Sequence, residues 1–266
     1  SFVTTDDVAS APRDKIDERR GIAGNFFVFK VAGAAADMGA SLEAVEAAAK
    51  RANDATRTMG VALSACSMPQ TGKANFEIPD GEMEIGMGIH GEPGIARVPA
   101  ETADAVTDRL LHPILGELTL NPGDRVAVLV NGLGSTTLLE LYLLHRRVAE
   151  VLKARQIDIH HSWVGEYCTS LEMGGASVSL MKLEDDLINW LEHPCDTPAL
   201  RVGAEKAARG ETANRTQRTR KQVDRESKVS KHDLIATGTI TPKVFRRMMA
   251  ASAQAIFTQR DHLCKL

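Results

Sequence analysis

A mixed-sheet α/β fold is the architecture this sequence predicts, and three observations predict it. Short apolar runs rich in small and β-branched residues alternate with longer segments whose apolar residues recur at helical spacing. The clearest run, Arg125-Val126-Ala127-Val128-Leu129-Val130, leads through the small-residue turn Asn131-Gly132-Leu133-Gly134-Ser135-Thr136-Thr137 into an amphipathic helix over 138–154. Several connections are too short to carry a helical crossover, so some strands pair antiparallel and the sheet is mixed rather than wholly parallel.

Each element follows from local chemistry. Residues 2–5 read as the end of a buried strand, and Asp6-Asp7 suits a loop where that strand emerges. Helical spacing over 25–38 includes a small-residue face at Gly33-Ala34-Ala35-Ala36. Ser41 before Leu42, with Glu43 and Glu46 in the first turns, marks the start of a second helix to about 53, which completes a helical hairpin. Residues 59–66 have the small apolar character of a buried strand ended by Pro69 and Gly72, and 76–78 form a short strand. After the turn Pro79-Asp80-Gly81, alternation over 82–90 predicts a strand that closes at the glycine-flanked His90. Helical periodicity covers 102–115, and Asn121-Pro122-Gly123-Asp124 turns the chain into the strand at 125–130. Strands over 157–164 and 176–182 and a short helix over 184–191 complete the pattern.

The chain has 266 residues and is 43% hydrophobic, enough for a substantial core and for parts of more than one domain. A net charge of -3 with 25% charged residues gives no global field for nucleic acid or a membrane, so a small molecule is the expected partner. Cys66, Cys168, Cys195 and Cys264 lie too far apart for the paired spacing of a zinc or redox motif, as in a reduced, cytoplasmic protein. No run approaches the roughly 20 apolar residues of a membrane span, and the start lacks the order of a signal peptide. Between 201 and 231 apolar periodicity gives way to Arg, Lys, Thr and Gln, the composition of a solvated linker. Without aromatics or a fold signature, that charge run does not predict a nucleic-acid partner. Order returns where Thr241 precedes Pro242, a cap and first helical position, and Phe245, Met248, Met249, Ile256 and Leu263 continue the pattern. Both ends read as cut, so a fragment of a longer protein is expected.

The segment Gly86-Met87-Gly88-Ile89-His90-Gly91-Glu92-Pro93-Gly94 carries the most chemistry. Glycines around one histidine let a ligand approach the backbone and leave the imidazole open. A neutral imidazole nitrogen attacks a ketone carbonyl once a partner on its other nitrogen fixes the tautomer, and Glu92 is a candidate partner. Two other features are read as structural. Gly132-Leu133-Gly134 lacks the third glycine of a dinucleotide fingerprint, and His160-His161, adjacent on a strand, point to opposite faces and do not pair on a metal.

Six words occur in order: Arg19-Arg20-Gly21-Ile22-Ala23-Gly24, Gly33-Ala34-Ala35-Ala36, the histidine segment, Val130-Asn131-Gly132-Leu133-Gly134-Ser135-Thr136, Leu139-Glu140-Leu141-Tyr142 and Tyr167-Cys168-Thr169-Ser170-Leu171-Glu172-Met173. Together they resemble the substrate-binding subunit of dihydroxyacetone (glycerone) kinases, from the first residues to about Val202. The resemblance implies that His90 forms a hemiaminal with the carbonyl carbon of dihydroxyacetone, with Gly88 and Gly91 beside the substrate. It further implies ATP as phosphate donor, magnesium as cofactor and a homodimer. Residues 1–55 are then the end of a first α/β lobe, 56–203 a second lobe carrying the histidine, 204–238 a basic linker, and 239–266 the start of an all-helical nucleotide domain. ATP and magnesium would be held by parts beyond Leu266, and the family's Gly-Ser-Gly-His and Thr-Gly-Asp words, the latter supplying a general base, are absent from this sequence. Little or no turnover is therefore expected of this stretch alone. A kinase for erythrulose or glyceraldehyde, or a non-catalytic ketose-binding regulatory subunit, stays open as an alternative.

Overall fold

The computed structural model describes residues 2–67, 72–74 and 76–203, which belong to one compact unit, Ser1–Gly203. The expected linker over 204–238 and helix over 239–266 lie outside the described residues, as does Cys264.

Five helices and a six-stranded sheet build this unit. The chain passes through short 3-10 turns at Arg13–Glu18 into α1 (Asn25–Asp37) and α2 (Leu42–Asp54), then β1 (Thr56–Ala62), β2 (Glu82–Ile85) and β3 (Ala96–Pro99). Next come α3 (Ala103–Glu117), β4 (Arg125–Gly132), α4 (Leu138–Ala154), β5 (Asp158–Gly165), β6 (Gly175–Leu183) and α5 (Asp185–Glu192), and a two-residue ribbon of β7 (Cys195–Asp196) with β8 (Arg201–Val202) ends the unit. The sheet order is β3-β2-β1-β6-β4-β5. Among the sheet's six described strands β4 and β5, joined through α4, run parallel and the other strand pairs antiparallel, so the mixed sheet expected from connection lengths is the sheet observed.

Alternation along the strands separates two cores. Val126, Val128 and Val130 pack with Val178, Leu180, Met59 and Val61 under α3 and α4. Ala127 and Leu129 face the other way, with Met181 and Leu183, under α1, α2 and α5. Strands β4 and β6 are buried along almost their whole length because both faces are covered, which explains their near-continuous apolar character. Ser41, the residue the sequence nominated, starts α2, its Oγ accepting the Ala44 N–H at 3.3 Å; at α4 the structure adds a reciprocal capping box between Thr137 and Glu140.

Four expectations are corrected. Residues 2–5 form no strand; the chain instead bridges to β1 at Asp7, parallel to Thr58. The short strand expected over 76–78 is also absent, and Phe76 and Ile78 pack against a small cluster of Ala62, Cys66, Met87, Leu133 and Met173. The strand expected at 59–66 occupies Thr56–Ala62, because the amides of Leu63 and Ser64 leave the ladder and donate to the Gly174 carbonyl at 2.6 and 3.1 Å. Most relevant to the site, β2 stops at Ile85 and does not run on to His90. Its C-terminal end lies against the second half of β1 through Val61↔Ile85 and Ala62↔Glu84, and the Gly86 N–H still donates to the Gly60 carbonyl at 2.7 Å. The first half of that edge is occupied by residues 6–8: the Thr58 amide donates to the Asp6 carbonyl at 2.7 Å and the Val8 amide to the Thr58 carbonyl at 3.0 Å.

Candidate functional site

His90 stands at the tip of the β2–β3 hairpin. The loop closes where the Ile95 N–H meets the Ile85 carbonyl at 2.8 Å and the Gly94 N–H meets Glu84 Oε1 at 3.1 Å. Within it, the Gly91 N–H donates to the Gly88 carbonyl at 3.1 Å, a four-residue turn with His90 at its third position. Two glycines are demanded by backbone shape, Gly86 at φ 77 and Gly91 at φ 82, in the left-handed region that side chains disfavour. Gly88 is demanded by space. A Cβ there would lie 2.2 Å from Glu92 Oε2 and 2.8 Å from the Arg20 guanidinium carbon.

The turn carries its imidazole outward, with the His90 side chain 80% exposed. Its orientation comes from Glu92, whose Oε1 lies 3.1 Å from Nδ1 while Oε2 accepts the His90 backbone N–H at 3.0 Å. Partial burial pushes the Glu92 carboxyl up. That effect is outweighed by hydrogen bonds from its own and His90's amides and from the His90 ring, and by the Arg20 charge, so the carboxyl falls below the usual range. Arg20 is itself fixed, its Nε donating to Asp7 Oδ2 at 2.7 Å and Nη2 to the Gly86 carbonyl at 3.0 Å. Among the described residues nothing bonds His90 Nε2, so the ring presents one engaged nitrogen and one open nitrogen.

Asp6 and Asp7 lie outside helix and named strand, as the loop expected of them does, and both are buried. Asp6 accepts the Ile22 and Gly24 amides at 3.1 and 2.8 Å at the head of α1, and Asp7 anchors Arg20. Neither these roles nor that of Arg20 was visible as a role in the sequence, although Arg20 belongs to one of the recognised words. A basic residue followed by glycine says nothing of a partner 66 positions away.

The remaining features take structural parts. Gly134, at φ 133, is so close to the Leu171 carbonyl that a Cβ would lie 1.8 Å from that oxygen; it is a packing glycine before α4. Asn131, fully buried, accepts the Tyr167 and Cys168 amides at 2.8 and 2.9 Å and holds the loop between β5 and β6. His160 bonds Glu192 Oε1 at 2.9 Å, whereas His161 stacks on Trp163 with centroids 3.9 Å apart. The described residues contain no group of three or more His, Cys, Asp or Glu placed to hold a metal ion, so the magnesium implied by the resemblance has no fitting donor set among them. No described helix is long and apolar enough to cross a membrane.

Sheet, helix layers and histidine-bearing hairpin together define a three-layer α/β domain whose open chemistry lies on a glycine-rich turn. The chain belongs to the Dak1 domain family, whose profile matches residues 1–199. It is similar to the dihydroxyacetone-binding subunit DhaK of PTS-dependent dihydroxyacetone kinase 2 from Listeria innocua, 48% identical over 202 residues that cover 76% of this chain and 60% of that protein. It is also similar to the D-erythrulose kinase of Mycolicibacterium smegmatis, 40% identical over 256 residues, 96% of this chain and 44% of that one. The crystal structure of the dihydroxyacetone kinase of C. freundii in its native form superposes with a TM-score of 0.63 at 30% identity, covering 77% of this chain and 39% of that chain. The chain thus spans less than two thirds of the length of each of these proteins.

Proposed function

We propose that this domain captures a short ketose, dihydroxyacetone foremost, as a hemiaminal on His90 within a kinase that phosphorylates the captured sugar from ATP. The observation that carries this reading is the state of the ring: Nδ1 is engaged by Glu92 and Nε2 is open on an exposed, glycine-framed turn. An imidazole so held places its free lone pair on Nε2, the nitrogen able to attack a ketone carbon. Bond formation fixes the carbon skeleton and so presents a terminal hydroxyl in one orientation for phosphoryl transfer, while glycerol, which has no carbonyl, is not retained. Gly88 and Gly91 are the backbone neighbours expected to lie beside the sugar.

The Listeria relative, named for binding dihydroxyacetone, supports the choice of ligand. Support for a kinase whose chain continues past this domain comes from the D-erythrulose kinase, whose similarity spans 96% of this chain and so runs past the 199 residues of the Dak1 match, while ATP as donor rests on the family resemblance. That same relative favours a second reading, erythrulose as the substrate. Nucleotide and magnesium belong, in either reading, to a separate domain. A homodimer is proposed on the family resemblance.

The test uses dihydroxyacetone labelled with carbon-13 at the carbonyl. Binding is expected to move its NMR signal from the ketone to the tetrahedral region, and His90→Ala to abolish the shift. The adduct should not be fixed by borohydride, which would trap a lysine imine. A ketone signal that stays unshifted at saturation would end the proposal, and competition by erythrulose ranks the two substrates.

A further inference from the structure

An exposed ring has no packing to hold it, so whatever orients His90 must be polar. We infer that Glu92 sets the tautomer and direction of the His90 imidazole, and that Arg20 and buried Asp7 hold Glu92 for this purpose; the inference rests on the reading of His90 given above. Glu92 grips its neighbour at two points, the ring through Oε1 at 3.1 Å and the backbone N–H through Oε2 at 3.0 Å, so ring and main chain are locked to the same carboxylate. A carboxylate held below its usual range is an acceptor only, which requires the proton to be on Nδ1 and the lone pair on Nε2.

The support behind Glu92 is built. Arg20 and Glu92 converge on the space where Gly88 lacks a Cβ: an atom placed there would lie 2.2 Å from Glu92 Oε2 and 2.9 Å from Arg20 Nη1. Arg20 in turn is anchored by Asp7, whose side chain is 1% exposed and whose other oxygen accepts the Ala9 amide at 3.0 Å. The series Asp7, Arg20, Glu92, His90 therefore runs from the buried edge of β1 to the hairpin tip: hydrogen bonds join Asp7 to Arg20 and Glu92 to His90, and Arg20 acts on Glu92 through its charge and by sharing the space beside Gly88.

The chemistry balances. The Nε2 lone pair forms the C–N bond, the carbonyl π pair moves onto oxygen, and that oxygen takes a proton from water. The ring is left positively charged beside the Glu92 carboxylate and returns to neutrality when the Nδ1 proton passes by way of Glu92 to solvent. Glu92 is thus a positioning residue that also stabilises the charge the ring carries during addition.

The experiment combines imidazole nitrogen-15 spectra with titration of carbon-13 dihydroxyacetone, on the intact protein and on Glu92→Gln, Gly88→Ala and His90→Ala. In the wild type the His90 signals are expected to report proton on Nδ1. Glu92→Gln is expected to mix the tautomers and weaken the adduct about ten- to hundredfold, the range for losing a charge-assisted hydrogen bond. Gly88→Ala crowds both the carboxylate and Arg20 without altering their chemistry, and its tautomer readout, taken without sugar and so free of any contact with it, should shift in the same direction as in Glu92→Gln. Amide spectra check that each variant is folded, and if Glu92→Gln does not fold the ligand-free tautomer of Gly88→Ala decides. Unchanged tautomer and affinity in the folded variants, with His90→Ala inactive, would overturn the inference and leave the His90 reading standing. An adduct that survives in His90→Ala would sink both.

Discussion

Asp6 places its two carboxylate oxygens against the amides of Ile22 and Gly24 in the turn that leads into α1, and Gly24 makes room for it because a Cβ there would come within 2.5 Å of Oδ2. Burial pushes this carboxyl up, against the lowering effect of its hydrogen bonds from Thr58, Ile22 and Gly24. In the window just above the ordinary value of 3.8, the folded state retains a proton that the unfolded chain has lost, so Asp6 makes stability fall as pH rises there. Asp6→Asn is expected to remove that slope, seen as the difference between wild-type and variant urea unfolding across the window, and to cost about 1–3 kcal/mol at neutral pH through a mismatched buried donor. Residue-level legibility was uneven for a physical reason. His90 stood out because backbone shape and close approach both call for glycine, and glycine is written in the sequence; Asp6 and Asp7 did not, because adjacent acids signal solvent unless their distant partners are known.

The helices were legible because each carries its own periodicity, and α2, α3 and α4 also begin at a Ser or Thr whose side chain accepts a first-turn amide. At α4, Thr137 Oγ1 accepts the Glu140 amide at 3.4 Å while Glu140 Oε2 accepts the Thr137 amide at 2.9 Å. Thr137→Ala is expected to lower stability by about 1 kcal/mol in urea unfolding, with the fold unchanged. Strands with two covered faces, such as β4, announced themselves as apolar runs. Strand β3 did not: Ala96–Pro99 is an edge strand, mostly exposed, whose Arg97 pairs with Glu84 across the ladder, and no alternation marks it. Missing β3 made β2 seem to run on to His90, so the hairpin was mistaken for a strand end. Where an apolar run ends is decided by its partner strand, which local pattern does not contain.

Across the whole unit, Glu117 at the end of α3 ties three distant segments together. Arg19 donates to it through both terminal nitrogens at 2.7 and 2.6 Å, and Arg57 at the start of β1 adds a third bond at 3.0 Å. Burial pushes the Glu117 carboxyl up, but the two guanidinium groups bring it below the usual range. Glu117→Ala leaves the buried Arg19 charge without its counter-ion and is expected to cost about 3–5 kcal/mol in urea unfolding, far more than loss of an exposed pair such as Arg109–Glu101. Such long-range ties were not readable from sequence, whereas the fold class was, because layer order follows from element order. The brief junction between β1 and β2 has its own bearing on the imidazole. A pleated ribbon repeats every two residues, so its placement comes in steps: a slide of one position would take Met83 and Ile85 out of the apolar core and put Glu82 and Glu84 there, away from the Arg97 and Gly94 groups that Glu84 now bonds. The greasy side chains at the hairpin's foot thus act as a vernier, and the reactive tip inherits its aim from a partition between oil and water.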